Sequence, residues 1–122
     1  MSGWIGVDLD GTLAQYGGQW TGGIGAPVPN MVARVRRWLN EGKDVRIFTA
    51  RVAIDPTMYS AESDRHADQD FANEQRAIIE QWCRQQFGQV LPITATKDFA
   101  CILIYDDRAR QVEMNTGRVI GE

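Results

Sequence analysis

Three observations predict an α/β domain built on a mainly parallel sheet. Short apolar runs alternate with amphipathic helical patterns in the order strand, helix, strand, helix, strand, strand. Three of the runs end in Asp or Thr, the residue types that crowd the carboxyl ends of strands where such folds bind ligands. A length of 122 residues, 43% of them hydrophobic, suits one core and needs neither disulfide nor metal to fold.

Taken in order, residues 3–10 are short and apolar and close on Asp8-Leu9-Asp10-Gly11-Thr12, a strand running into a turn. Residues 14–29 hold five glycines and two prolines with no regular period, so they form a loop, long for a strand-to-helix connection. Asn30 is the expected N-cap of a helix whose buried face carries Met31, Val32, Val35, Trp38 and Leu39, with Gly42 as its stop. Residues 45–49 are the second strand, ending in Thr49-Ala50-Arg51, and residues 52–63 are turn-prone. A long helix fits residues 68–87, with Phe71, Ile78, Ile79, Trp82 and Phe87 on one face and Cys83 beside them. Residues 91–95 and 101–105 supply the third and fourth strands, the last starting at a buried Cys101 and running into Asp106-Asp107. A short helical turn over 109–114 precedes the tail, and no repeat, linker or low-complexity tract divides the chain, so residues 1–122 read as a single domain.

Scarce residues remove whole chemistries. The one histidine, His66, cannot build a His cluster for zinc, and Cys83 and Cys101 are too far apart for a Cys-x-x-Cys half-site. Neither cysteine is followed by the arginine of a cysteine-phosphatase loop, and Gly42-Lys43 is followed by Asp44 rather than the Ser or Thr of a Walker A loop. A net charge of −3 argues against sequence-independent nucleic-acid binding, and Arg34, Arg36 and Arg37 fall at the spacing of a solvated helix face. With no basic segment leading into an apolar run and no stretch near the roughly 20 apolar residues of a membrane span, a cytoplasmic protein with reduced thiols and no membrane partner is expected.

The strand ends carry the chemistry. Asp8 and Asp10 follow the first strand, Thr49 the second, Asp106 and Asp107 the fourth. Carboxylates gathered at one sheet edge repel one another and require a cation or raised pKa values, and hard oxygen donors favour Mg²⁺. Such a site, with positions left for water, is suited to holding a phosphate.

In this order the motifs resemble the haloacid dehalogenase superfamily of aspartate-nucleophile phosphohydrolases. Asp8-Leu9-Asp10-Gly11-Thr12 is similar to its first motif, Ile47-Phe48-Thr49 to its second, Lys97 to its third and Tyr105-Asp106-Asp107 to its fourth. The resemblance implies a Rossmann-like three-layer sandwich and a Mg²⁺-dependent phosphatase. In that reading Asp8 attacks phosphorus, Asp10 is the general acid and base, Thr49 binds a phosphoryl oxygen and Lys97 neutralises charge. Gly11, Thr12, Ala50 and Arg51 join the substrate-binding residues, and Asp8, the Asp10 carbonyl, Asp106 and Asp107 form the metal set. The combination of Asp-x-Asp-Gly-Thr, Phe-Thr-Ala-Arg and Asp-Asp-Arg also resembles the 3′-phosphatase domain of polynucleotide kinases.

Two departures from the family bear on the reading. Lys97 stands close before Asp106, in the loop between strands three and four, so Arg51 or Arg108 is an alternative for its role. The segments 13–29 and 52–67, where relatives carry a cap domain, are too short for one. A minimal capless member is therefore expected, its substrate a sugar phosphate, a nucleotide or a polynucleotide 3′-phosphate. Its cover comes from the glycine-rich loop with Tyr16 and Trp20, from the 51–63 segment with Met58 and Tyr59, or from another subunit of a homo-oligomer. A receiver-type signalling module uses similar residues but puts the acid pair first and the phosphorylated Asp in the middle; a non-catalytic binding subunit would not need every acid.

Overall fold

The computed structural model describes residues 2–54 and 62–122, the side chains of 62–67 excepted. In chain order it contains β1 (Trp4–Val7), α1 (Pro29–Asn40), β2 (Asp44–Phe48), a 3₁₀ turn (Ala50–Val52), α2 (Glu62–Phe87), β3 (Ile93–Thr94) and β4 (Cys101–Tyr105). The four strands form one sheet in the order β3-β2-β1-β4, every pairing parallel. The expected α/β class and parallel sheet are thus present, with β1 at the centre and all four of its residues buried.

β1, β2 and β3 succeed one another across the sheet, so right-handed crossovers place α1 and α2 on the same face. The core agrees: Ile5, Val7, Val45, Ile47 and Ile93 cluster with Val32, Val35 and Trp38 of α1 and Ile79, Trp82 and Cys83 of α2. Burying each large apolar side chain contributes on the order of 2 kcal/mol, and this face carries most of them.

The opposite face corrects the expectation of three layers. Among the described residues no helix lies there. Trp4 instead lies flat over Gly6, where a Cβ would come within 3.0 Å of the indole. It stacks on Phe48 with ring centroids 6.1 Å apart, takes the Arg46 guanidinium 4.9 Å above its ring and donates its Nε1–H to Asp98 at 2.7 Å. The reason is the connection: β3 and β4 sit at opposite edges of the sheet, and residues 95–100 are too few to include a crossover helix.

Other boundaries shift for local reasons. Helix α1 starts at Pro29, not after Asn30; Val28 is the N-cap with no side-chain bond, because proline's fixed φ favours the first helical position. Arg34, Arg36 and Arg37 are exposed, as their spacing predicts. Among the described side chains of α2 the buried positions are Ala72, Gln75, Ile79, Trp82 and Cys83, while Phe71 and Ile78, expected in the core, are exposed. The 109–114 helical turn is absent; the tail folds back through an isolated bridge between Val112 and Val119. Strand β4 is an edge strand, so Cys101 is only half-buried and Ile102, Leu103 and Ile104 are exposed rather than core.

Candidate functional site

The carboxyl ends of β1, β2 and β4 form the floor of the site. The Asp8 N–H donates to the Tyr105 carbonyl at 2.9 Å, which keeps β1 and β4 together up to their terminal acids. The chain then turns, with the Leu9 carbonyl accepting from Leu13 and Ala14 at 3.0 and 2.9 Å. Gly11 makes the turn possible: its φ is +92°, and a Cβ there would lie 2.8 Å from the Asp107 carboxylate. Thr12 ties the two motifs together. Its hydroxyl lies 3.1 Å from Asp107 Oδ1 and 3.5 Å from Asp8 Oδ2 and accepts the Asp107 N–H at 3.2 Å. Asp106 turns back on itself, its Oδ1 accepting the Arg108 N–H at 2.8 Å.

Asp8, Asp106 and Asp107 each place a carboxylate oxygen within 4.8 Å of the others. Burial pushes the Asp8 carboxyl up to about 7, helped by its hydrogen bond to Asp107 and by the charges of Asp106, Asp107 and Asp10. The same hydrogen bond holds Asp107 below its ordinary value.

Two residues further on, Asp10 meets the opposite environment. Arg51 Nε donates to Asp10 Oδ2 at 2.8 Å and Nη2 to Oδ1 at 2.7 Å, a bidentate fork. Nη1 also donates to Gln75 Oε1 at 2.8 Å, and Nη2 to the Gly23 carbonyl at 2.7 Å. The plane of the guanidinium packs over Trp20, 4.5 Å from the ring centroid. The Arg51 side chain is 4% exposed, so each of these bonds operates away from bulk water. Thr49 orients the segment, its hydroxyl accepting the Arg51 N–H at 3.2 Å while its own N–H donates to Thr94 at 2.9 Å.

A cavity of about 450 Å³ joins the two groups. Asp8, Asp10, Thr49, Ala50, Arg51 and Asp106 form its polar floor, Arg108 stands at its side, and Tyr16, Trp20, Phe48 and Phe71 form an aromatic wall. Trp20 meets Phe71 of α2 with centroids 6.2 Å apart, so the glycine-rich loop closes one side of the cavity.

Asp8, Asp10, Gly11, Thr12, Thr49, Ala50, Arg51, Asp106 and Asp107 are therefore gathered in one place. Lys97 is not among them: it is exposed in the 95–100 loop beside the Asp98 that binds Trp4, and it does not line the cavity. Among the described residues the cations lining the cavity are Arg51 and Arg108. Met58, Tyr59 and the His66 side chain lie outside the described residues. Sequence reasoning missed Gln75, a polar residue at a buried helix position, and a glutamine among apolar neighbours at helical spacing was the available signal. It also assigned Phe71 to the core.

Among the described residues no helix is long and apolar enough to cross a membrane. Compared with protein-family models, characterised proteins and solved structures, the chain matches none.

Proposed function

We propose that the protein is a phosphomonoester hydrolase of haloacid dehalogenase type that works through an aspartyl-phosphate and uses Mg²⁺. The observation that carries this reading is the convergence of Asp8, Asp106 and Asp107, tied by Thr12, at the strand ends beneath a cavity that also holds Thr49 and Asp10. A structural acid cluster with no partner would be a net cost to folding, and a hard cation relieves it.

Asp8 is the nucleophile. In the first step its carboxylate oxygen bonds to phosphorus and the bond from phosphorus to the leaving oxygen breaks; the leaving oxygen keeps the electron pair and takes a proton from Asp10. In the second step Asp10 takes a proton from water, the water oxygen bonds to phosphorus, and the Asp8–phosphorus linkage breaks to release phosphate. The Arg51 fork uses one lone pair on each Asp10 oxygen and leaves the others for this exchange, while fixing the carboxylate beside the nucleophile. In this reading Thr49 and Arg108, which line the cavity, bind phosphoryl oxygens, and Arg108 supplies the positive charge that the family resemblance assigns to Lys97.

The Asp8, Asp106 and Asp107 carboxylates and the Asp10 carbonyl are the donors that would hold Mg²⁺, and their all-oxygen character fits that ion. When bound it lowers the repulsion among the acids, keeps Asp8 ionised and offsets the charge of the phosphoryl group.

Phosphate release from an aryl phosphate in Mg²⁺ tests the proposal. Turnover by the wild type that is absent in Asp8→Asn is expected; a folded wild type indistinguishable from that variant would sink it. A stable aspartyl-phosphate without release would point to a phospho-accepting module instead.

A further inference from the structure

We infer that the leaving group of the substrate carries a flat aromatic or heteroaromatic ring, which packs against Trp20, Phe71 and Tyr16; this rests on the phosphatase reading for its chemistry but not for its binding. Three large aromatic side chains on two separate elements, Tyr16 and Trp20 on the glycine-rich loop and Phe71 on α2, are 40%, 50% and 42% exposed around one cavity. Large apolar side chains gathered this way on a water-facing surface mark a binding wall, and flat faces select flat ligands. Phe71 sharpens the point, because helical periodicity alone assigns it to the core, yet it is turned to the cavity instead.

The polar groups of the cavity argue in the same direction. Asp10 is held by Arg51, the Thr49 hydroxyl accepts the Arg51 N–H, and Asp106 accepts the Arg108 N–H. Against the aromatic wall a polyol leaving group would find its hydroxyls facing the ring carbons of Trp20 and Phe71, a loss of hydrogen bonds that disfavours it there. The hydrogen-bonding side chains of the glycine-rich loop, Gln15, Gln19 and Thr21, line an adjoining cavity of about 330 Å³ that shares Asp10, Tyr16, Trp20 and Arg51 with this one, and they do not line this one. Trp20 itself is held ready, one face against the Arg51 guanidinium and its ring tilted 54° to that of Phe71, so little order has to be gained on binding. The volume of about 450 Å³ accommodates a phosphate together with a nucleoside or a single aromatic ring.

Four alkyl phosphates with leaving alcohols of similar basicity test the inference: adenosine 5′-monophosphate and benzyl phosphate against glycerol 3-phosphate and glucose 6-phosphate. The ring esters should exceed the polyol esters by at least about tenfold in kcat/KM, the scale of one aromatic stacking contact. In Phe71→Ala and Trp20→Ala that preference should collapse toward unity. Preference for the nucleotide over benzyl phosphate identifies a nucleoside leaving group; the reverse identifies an isolated ring; either supports the inference. Equal turnover of all four esters, or variants that lower all four alike, overturns it. A second readout is independent of turnover. In Asp8→Asn, saturable quenching of tryptophan fluorescence by adenosine 5′-monophosphate, absent with glucose 6-phosphate and lost in the added Trp20→Ala, supports ring binding even if no ester is hydrolysed. No quenching overturns ring binding even if hydrolysis is robust.

Discussion

Asp8 and Asp10 are separated by a single residue in one turn, yet their surroundings are opposite. Asp8 sits among like charges, with Asp106 and Asp107 inside 4.8 Å, and burial holds its proton on at about 7. Asp10 is gripped by a buried arginine whose other donors hold Gln75 and the glycine-rich loop. One half of the site is therefore frustrated until something positive arrives, and the other is satisfied as it stands. Equal residue types two positions apart thus meet different surroundings: Asp8 is left among like charges, whereas Asp10 is fixed in orientation by Arg51.

The sharpest way to break this contrast is to remove the charge of Asp8. Asp8→Asn should abolish phosphate release, a fall of at least about 10³-fold, while leaving the fold intact, as circular dichroism would show. Breaking the satisfied half acts on the fold instead. Arg51→Met strands Asp10, Gln75 and the Gly23 carbonyl, and a urea midpoint should report a loss of about 3 kcal/mol or more, with Arg51→Lys recovering only part because it lacks the fork. Gly11→Ala strikes the hinge between the two halves. It forces a side chain onto positive φ and against Asp107, with an expected cost of about 1–3 kcal/mol measured by the same unfolding curves.

The pH response separates the halves further. The folded-state value of Asp8, about 7, exceeds its ordinary 3.8, so the fold favours the neutral acid. Its contribution to stability is fully present below 3.8 and is lost as pH rises through about 7. Without divalent cations, thermal midpoints should therefore fall over that range. Asp8→Asn should flatten the fall, and Mg²⁺ should reverse it by binding the ionised carboxylates. Asp107, held low, acts only at more acidic pH, where its contribution is lost as it protonates. The smallest effect belongs to Lys97→Ala, which should leave stability within about 0.5 kcal/mol. Phosphate release should also be nearly unchanged, whereas Arg108→Ala should raise KM or lower kcat. A large loss of turnover in Lys97→Ala would instead return the charge-neutralising role to that lysine.

Much of this was legible in residue order. Short apolar runs and period-3.6 patterns located the strands and helices, and the strand-end rule picks out Asp8, Asp10, Thr49, Asp106 and Asp107 from the sequence. The misses have physical causes. Proline at the first helical turn displaced Asn30 as the start of α1. Exposure of β4 follows from its edge position, which apolar content cannot reveal. Phe71, expected in the core, lines the cavity instead, and Gln75, for which no role was read, is buried against Arg51, because α2 packs against the site as well as the sheet.

The sequence by itself determined the parallel α/β order, the lack of a His cluster, a Cys-x-x-Cys pair or a cysteine-phosphatase loop, and the clustering of acids at strand ends, because each depends on composition, local pattern or the path of the backbone. Only the tertiary structure decided that Arg51 rather than Lys97 reaches the aspartates and that Trp20 meets Phe71. It alone also left one face of the sheet to Trp4 rather than to a helix. Those outcomes turn on where side chains from distant segments meet and on which donors remain to be satisfied once they do, and neither is written in the spacing of any one segment.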